Sequence, residues 1–287
     1  MADKVHSTHM PAWYNSGMFS NRTVQRFRSV QRLLDQLDPQ ANPQVYAVAG
    51  SPTLQGDIIV FPGSFNPPTT AHLAMLKQAR QFGRSHGGMH VYAAMSKRTT
   101  DKETVERPLL VDRILLLDTV LHNYVRQTGI LLFNRGLYVE QAEAIRTTFD
   151  GVKQLYFLLG FDKIVQIFDP RYYENRDKAL RELFVLAEIL VAPRAGSGAA
   201  ELTALLAQPE NAPFARHVHL LPLKDSYRDI SSSRIRQGAA AHEQDVPPEV
   251  RRFIRDTGAY APPAQLADGS TIDVYGERMK AIAKAIH

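Results

Sequence analysis

Alternating strand and helix patterns predict an α/β protein with a doubly wound, mostly parallel sheet, and two observations carry that expectation. Short apolar runs recur along the 287 residues, and segments of helical periodicity separate them. The first strong run, "DIIVF", also leads through a glycine and two prolines straight into a helix, as "FPGSFNPPTTAHL" at Phe61 to Leu73. In sheets of this kind ligands sit beyond the carboxyl ends of the strands, which is where this turn falls.

Taken in order, Val24, Phe27, Val30, Leu33, Leu34 and Leu37 stand at helical spacing over Thr23 to Leu37. "DPQANP" and "SPTLQG" read as connecting loops. After "DIIVF" and the turn, a helix is expected over Thr70 to Arg84, then a strand at "MHVYAAM". "PLLVDRILLLDTVLHNYV" reads as a helix with proline at its start. "GILLFN", "KQLYFLLG", "FVLAEILVAP" and "HVHLLPL" supply further strands, with helices over Gln141 to Thr148, Arg176 to Leu183 and Ala199 to Ala207. "APRAGSGAAEL" reads as a mobile loop, and "APPAQLADGS" as a linker to a last helix, "ERMKAIAKAIH". Three divisions follow: residues 1–55, an N-terminal extension with an amphipathic helix; 56–260, the main α/β domain; and 261–287, the linker and C-terminal helix.

Composition narrows the chemistry. There is no cysteine, so disulfides, iron–sulfur clusters and thiolate catalysis are excluded, and a metal could enter only through oxygen or imidazole ligands. The N-terminus lacks the apolar core of a signal peptide, and the run from Leu183 to Val191 is too short for a membrane span, so a cytoplasmic location is expected. A formal charge of +5 favours anionic partners. The basic residues are scattered rather than clustered, which makes a nucleic-acid surface the less favoured reading. GxxxxGK(S/T), HExxH and GxSxG motifs are missing.

Two segments are suited to phosphate. At "FPGSFNPPTTAHL", Gly63 lets backbone N–H groups approach an anion and a helix opens just beyond, while Thr69 and His72 share a face of its first turn. At "DISSSRIR", Asp229 to Arg236, three serines precede an arginine at a helix start, joining hydroxyls, N–H groups and a forked guanidinium. Each residue has a plainer reading as well: Thr69 and Asp162 as helix caps, Tyr172 and Tyr173 as packing aromatics, His217 and His219 as structural histidines.

"GSFNPPTTAHL" resembles the (T/H)xxH motif of the nucleotidylyltransferases, and "ISSSRIR" their ISSTxIR motif. "LLGFDKIVQIFDPRYYE", "LVAPRAG" and "VPPEVRRFIRDTGAY" are similar to the nicotinate and nicotinamide mononucleotide adenylyltransferases. The resemblance runs in order from Asp57 to Tyr260 and implies a Rossmann-like nucleotidylyltransferase fold. It implies that Thr69, His72 and Arg236 act at the reacting phosphates. Gly63, Ser64, Phe65, Gly160, Asp162, Ser232, Ser233 and Arg236 would hold the nucleotide, with Lys97 a further phosphate contact. Tyr172 would stack on a pyridine ring. Thr69 stands where bacterial members have histidine, Ala71 where many have glycine, and Ser233 where threonine is usual. The implied partners are ATP, a pyridine mononucleotide and a magnesium ion carried with ATP, with no protein metal ligand and with homo-oligomerisation left open. Transfer to a different phosphate monoester, and a nucleotide-binding regulator with slow ATP hydrolysis, stay as alternatives.

Overall fold

The computed structural model describes residues 19–97, 107–193, 198–238, 243–265 and 269–286. Residues 194–197 of the expected mobile loop lie outside the described residues.

Helix α1 (Asn21–Gln36) starts at Ser20, whose Oγ accepts the Thr23 N–H at 3.2 Å, and it buries the Phe27, Val30 and Leu34 stripe. The helix ends before Pro39, which disfavours helical geometry at Asp38. Strands β1 (Val45–Ala47), β2 (Gly56–Pro62), β3 (His90–Ser96), β4 (Thr128–Phe133), β5 (Val152–Gly160), β6 (Glu188–Ala192) and β7 (Val218–Leu220) form one sheet in the order β1-β4-β3-β2-β5-β6-β7. All neighbours are parallel except β1, which pairs antiparallel with β4 as an edge strand. The expected doubly wound α/β fold is therefore the one observed.

Period-two alternation splits each central strand between two cores. Ile59, Phe61, Val91, Ala93 and Met95 face α1, α2 (Thr70–Ser85) and α3 (Leu110–Tyr124). Ile58, Val60, Tyr92 and Ala94 face α4 (Tyr138–Thr148), α5 (Phe161–Phe168), α6 (Arg176–Leu186) and α7 (Ala199–Leu206). The short α8 (Ser232–Gln237), α9 (Pro248–Thr257) and the C-terminal α10 (Val274–Ile286) join the first layer through Ile235, Val250 and Ile282. A hairpin of β8 (Ala264–Gln265) and β9 (Thr271–Ile272) falls where a linker is expected.

Three details differ from the pattern in the sequence. Phe184, Val185 and Leu186 belong to α6 rather than to a strand, because Leu180, Leu183 and Phe184 continue one buried helical face before β6 begins at Glu188. The edge strand β1 is too short to show alternation. Helix α3 begins at Leu110, after Pro108, and has no side-chain cap of its own. Its N-terminus is completed from α10: the Leu109 N–H donates to Tyr275 Oη at 2.7 Å, and that hydroxyl donates to Asp112. Buried Asp112 also takes two hydrogen bonds from Arg278, at 2.6 and 2.9 Å. The C-terminal helix is thus tied into the same core, and so is the N-terminal segment, through α1 and β1.

Candidate active site

Strand β2 pairs parallel with both β3 and β5, so the chain winds away from it in opposite directions and leaves a crevice at the carboxyl ends. A cavity of about 400 Å³ occupies it. Its wall includes Phe61, Pro62 and Gly63 from the end of β2, Leu159 and Gly160 from β5, Pro193 after β6, and Leu223 after β7. That volume is within the range of small-molecule sites.

The β2 turn is rigid for local reasons. The Gly63 N–H donates to Ala94 O at 2.9 Å, and a Cβ on Gly63 would stand 3.1 Å from the Phe65 ring. Phe65 has φ of 43°, an uncommon backbone for a side chain of that size, held by full burial against Phe61 and the His72 ring. Its backbone shapes the turn, and its ring is packed beneath the cavity wall.

Thr69 caps α2 and is fully buried, its Oγ1 accepting the His72 N–H at 3.2 Å. In return, the Thr69 N–H donates to His72 Nδ1 at 3.0 Å. A backbone N–H can only donate, so Nδ1 is the acceptor and the neutral ring carries its proton on Nε2. His72 lines the cavity and therefore supplies an oriented N–H donor. The N-terminus of the sixteen-residue α2, with its positive dipole end, lies at the same place.

The second motif comes back onto this turn from across the sequence. Ser231 caps α8, Ser232 Oγ donates to Pro67 O at 2.8 Å, and Arg236 Nη1 donates to Asn66 O at 2.8 Å. Arg236 Nη2 donates to Ser233 Oγ at 3.2 Å. Asn66 is in turn held by the Tyr260 hydroxyl at 2.6 Å, a group whose pKa burial pushes well up, so that it stays a donor. The serines therefore position the arginine and stitch the two motifs together.

Of the residues singled out from the sequence, Gly63, Ser64, Thr69, His72, Gly160, Asp162, Ser232, Ser233 and Arg236 line this one cavity. Gly160 is the N-cap residue of α5, which puts Asp162 in the first helical turn rather than at the cap. Lys97 and Tyr172 are not brought to it. Lys97 follows β3, and its ammonium donates to Leu34 O at 2.7 Å and Leu37 O at 2.8 Å, closing the end of α1. Tyr172 is 62% exposed on the single 3₁₀ turn Pro170–Tyr172, while its neighbour Tyr173 is anchored by a hydrogen bond to Ile167 O. Sequence reasoning missed Asn66, Tyr138, Lys163 and Tyr227, which also line the cavity. Tyr138 lies just beyond the carboxyl end of β4, the edge where ligands gather, and that placement was the available clue.

Among the described residues, no group of three His, Asp or Glu side chains could hold a metal ion, and no helix is long and apolar enough to cross a membrane. Three comparisons relate the chain to known proteins, and the family rests on the last of them. A crystal structure of a "Putative Nicotinate-nucleotide Adenylyltransferase" from Vibrio parahaemolyticus matches 72% of this chain and 96% of its own, at 15% identity and a TM-score of 0.41. A Schizosaccharomyces pombe protein named "Putative nicotinamide mononucleotide adenylyltransferase" is 24% identical over 218 residues, covering 69% of this chain and 84% of the relative. The cytidylyltransferase-like family model matches residues 60–238, a span that runs from the end of β2 through α8 and includes both motifs. The chain belongs to the cytidylyltransferase-like family and is a nucleotidyltransferase.

Proposed function

We propose that the protein is an adenylyltransferase that joins the AMP moiety of ATP to nicotinamide or nicotinate mononucleotide and releases pyrophosphate. The observation that carries this reading is the convergence of His72 and Arg236 on one crevice at the switch point of the sheet. The pyridine substrate is favoured by the name of the S. pombe relative.

In this mechanism an oxygen of the mononucleotide 5′-phosphate attacks the α-phosphorus of ATP, the bond from that phosphorus to the bridging oxygen breaks, and pyrophosphate leaves with the electron pair. No side chain becomes covalently attached. Thr69 and His72 hold the Nε2–H donor toward the charge that grows on the α-phosphate, and Arg236 grips the polyphosphate. Gly63 and the α2 N-terminus bring backbone N–H groups to the same anions. Of the two tyrosines at the cavity wall, Tyr138 and Tyr227, the stacking on a base is assigned to Tyr138, and Tyr172 does not line the wall.

The cavity's donors suit anions, and Asp162 is the one carboxylate among its described lining residues. That set would suit a magnesium ion carried by the polyphosphate, and Asp162 would be the carboxylate to help hold it. Such an ion supplies neutralisation of phosphate charge.

A substrate panel tests the reading. Pyrophosphate release should depend on a pyridine mononucleotide and not on pantetheine phosphate, flavin mononucleotide or an alcohol phosphate. Release with one of those instead would assign a different transfer reaction.

A further inference from the structure

Arg113 lies one layer behind the phosphate-binding turn. It projects from the first turns of α3, is only 8% exposed, and donates from Nη1 to Ser64 O at 3.2 Å. Its Nε is buried without a hydrogen-bond partner. The carboxylate next to it in sequence, Asp112, is already committed to Arg278 and to the Tyr275 hydroxyl. Burial is the main influence that lowers the Arg113 pKa; the nearby Tyr260 and Tyr275 hydroxyls act the other way, and a second guanidinium, that of Arg236, adds to the lowering. A buried cation with an orphaned N–H and a like-charged neighbour is unfavourable in the free protein.

We propose that Arg113 is a positioning residue whose counter-charge is the polyphosphate itself: it holds the Ser64 carbonyl so that the turn stays open to the anion, and its standing positive charge is balanced only when phosphate occupies the crevice. Binding of the nucleotide would then relieve a cost built into the free fold. This inference rests on the proposed reading of the crevice as a polyphosphate site.

The test uses inorganic tripolyphosphate, which carries neither base nor pyridine, with the full-length protein and calorimetric titration beside thermal melts. Arg113→Gln keeps a donor for Ser64 O and removes the charge. Arg113→Lys keeps the charge and loses Nε. Arg113→Gln should weaken tripolyphosphate on the order of tenfold, the size expected of one unit charge about 10 Å away at an effective dielectric of about 20. Its melting temperature without ligand should equal or exceed that of the native chain. Arg113→Lys should bind within about twofold of native. A merely structural arginine would give the opposite division, with a lower melting temperature and unchanged anion affinity. That outcome overturns the proposal, as does an Arg113→Gln chain that fails to fold without ligand, or an equal loss of affinity in Arg113→Lys. If the native protein itself does not bind tripolyphosphate, the crevice is not a polyphosphate site and the proposed function fails with it.

Discussion

His72 plays two parts that a single substitution would confuse, and the structure separates them. Nδ1 closes the capping box by accepting the Thr69 N–H at 3.0 Å, while the ring presents Nε2–H as the donor for the reaction. His72→Ala removes both parts and the packing of the ring against Phe65 and Phe61. Losing the cap should cost about 1 kcal/mol of stability, with a little more from the packing. Losing a donor aimed at developing phosphate charge should lower kcat by roughly 10²- to 10³-fold, or about 2.7–4 kcal/mol, by analogy with an oxyanion donor. His72→Asn divides the two effects, because an asparagine oxygen can still accept from Thr69 N–H but cannot reach as the imidazole does. Thermal melts should show most of the stability restored in His72→Asn, and steady-state rates should show no recovery of kcat. The ATP dissociation constant, measured by calorimetry, should change little in either variant, since the interaction strengthens only in the transition state. A near-native kcat in His72→Asn, or a loss of ATP affinity equal to the loss of kcat, would refute the role given to Nε2.

Three other outcomes follow from the same geometry. Tyr138→Ala should raise the KM of the mononucleotide by roughly 1–3 kcal/mol with little change for ATP, whereas Tyr172→Ala should leave both constants near native; equal KM values in the two variants would remove Tyr138 from the base site. Lys97→Met should lower the melting temperature by opening the end of α1, with ATP affinity within about twofold of native, and a large loss of ATP affinity would return Lys97 to the phosphates. The Asp273 carboxyl is held below its usual range chiefly by hydrogen bonding to Arg107, so its folded pKa lies under its unfolded one. Its contribution is present above about pH 4 and is lost as pH falls through the folded value, so the melting-temperature gap between native and Asp273→Asn should close on acidification. A gap that stays constant below pH 4 would contradict that assignment.

The alternating pattern made the fold legible because the buried strands are runs of apolar residues that nothing else in a chain of this size needs. It failed at "FVLAEILVAP", where a helix ends and a strand begins inside an apolar run broken only by Glu188 and neither period stands out. The candidate site was legible where chemistry and backbone geometry share the same residues. Thr69, His72, Ser232 and Ser233 sit at helix starts, where hydroxyl and imidazole groups meet unpaired backbone N–H groups, and Arg236 follows one turn further along α8, so local rules point to them. Lys97 and Tyr172 show the limit of that reasoning: both follow the right kind of motif, but the carbonyls at the end of α1 take the Lys97 ammonium, and packing leaves Tyr172 in solvent. Tyr138 is marked only by its place beyond β4, and Arg113 carries no local mark, since it is defined by a buried Nε that has no hydrogen-bond partner.

The central claim is that a phosphate monoester displaces pyrophosphate from ATP in the His72 and Arg236 crevice. ATP labelled at its α-phosphorus, incubated with magnesium and nicotinamide or nicotinate mononucleotide, tests it most directly. The label should appear in the dinucleotide, in equal amount to the pyrophosphate formed and only when the mononucleotide is present. Label recovered as ADP at a rate indifferent to the mononucleotide, with no dinucleotide, would contradict the account.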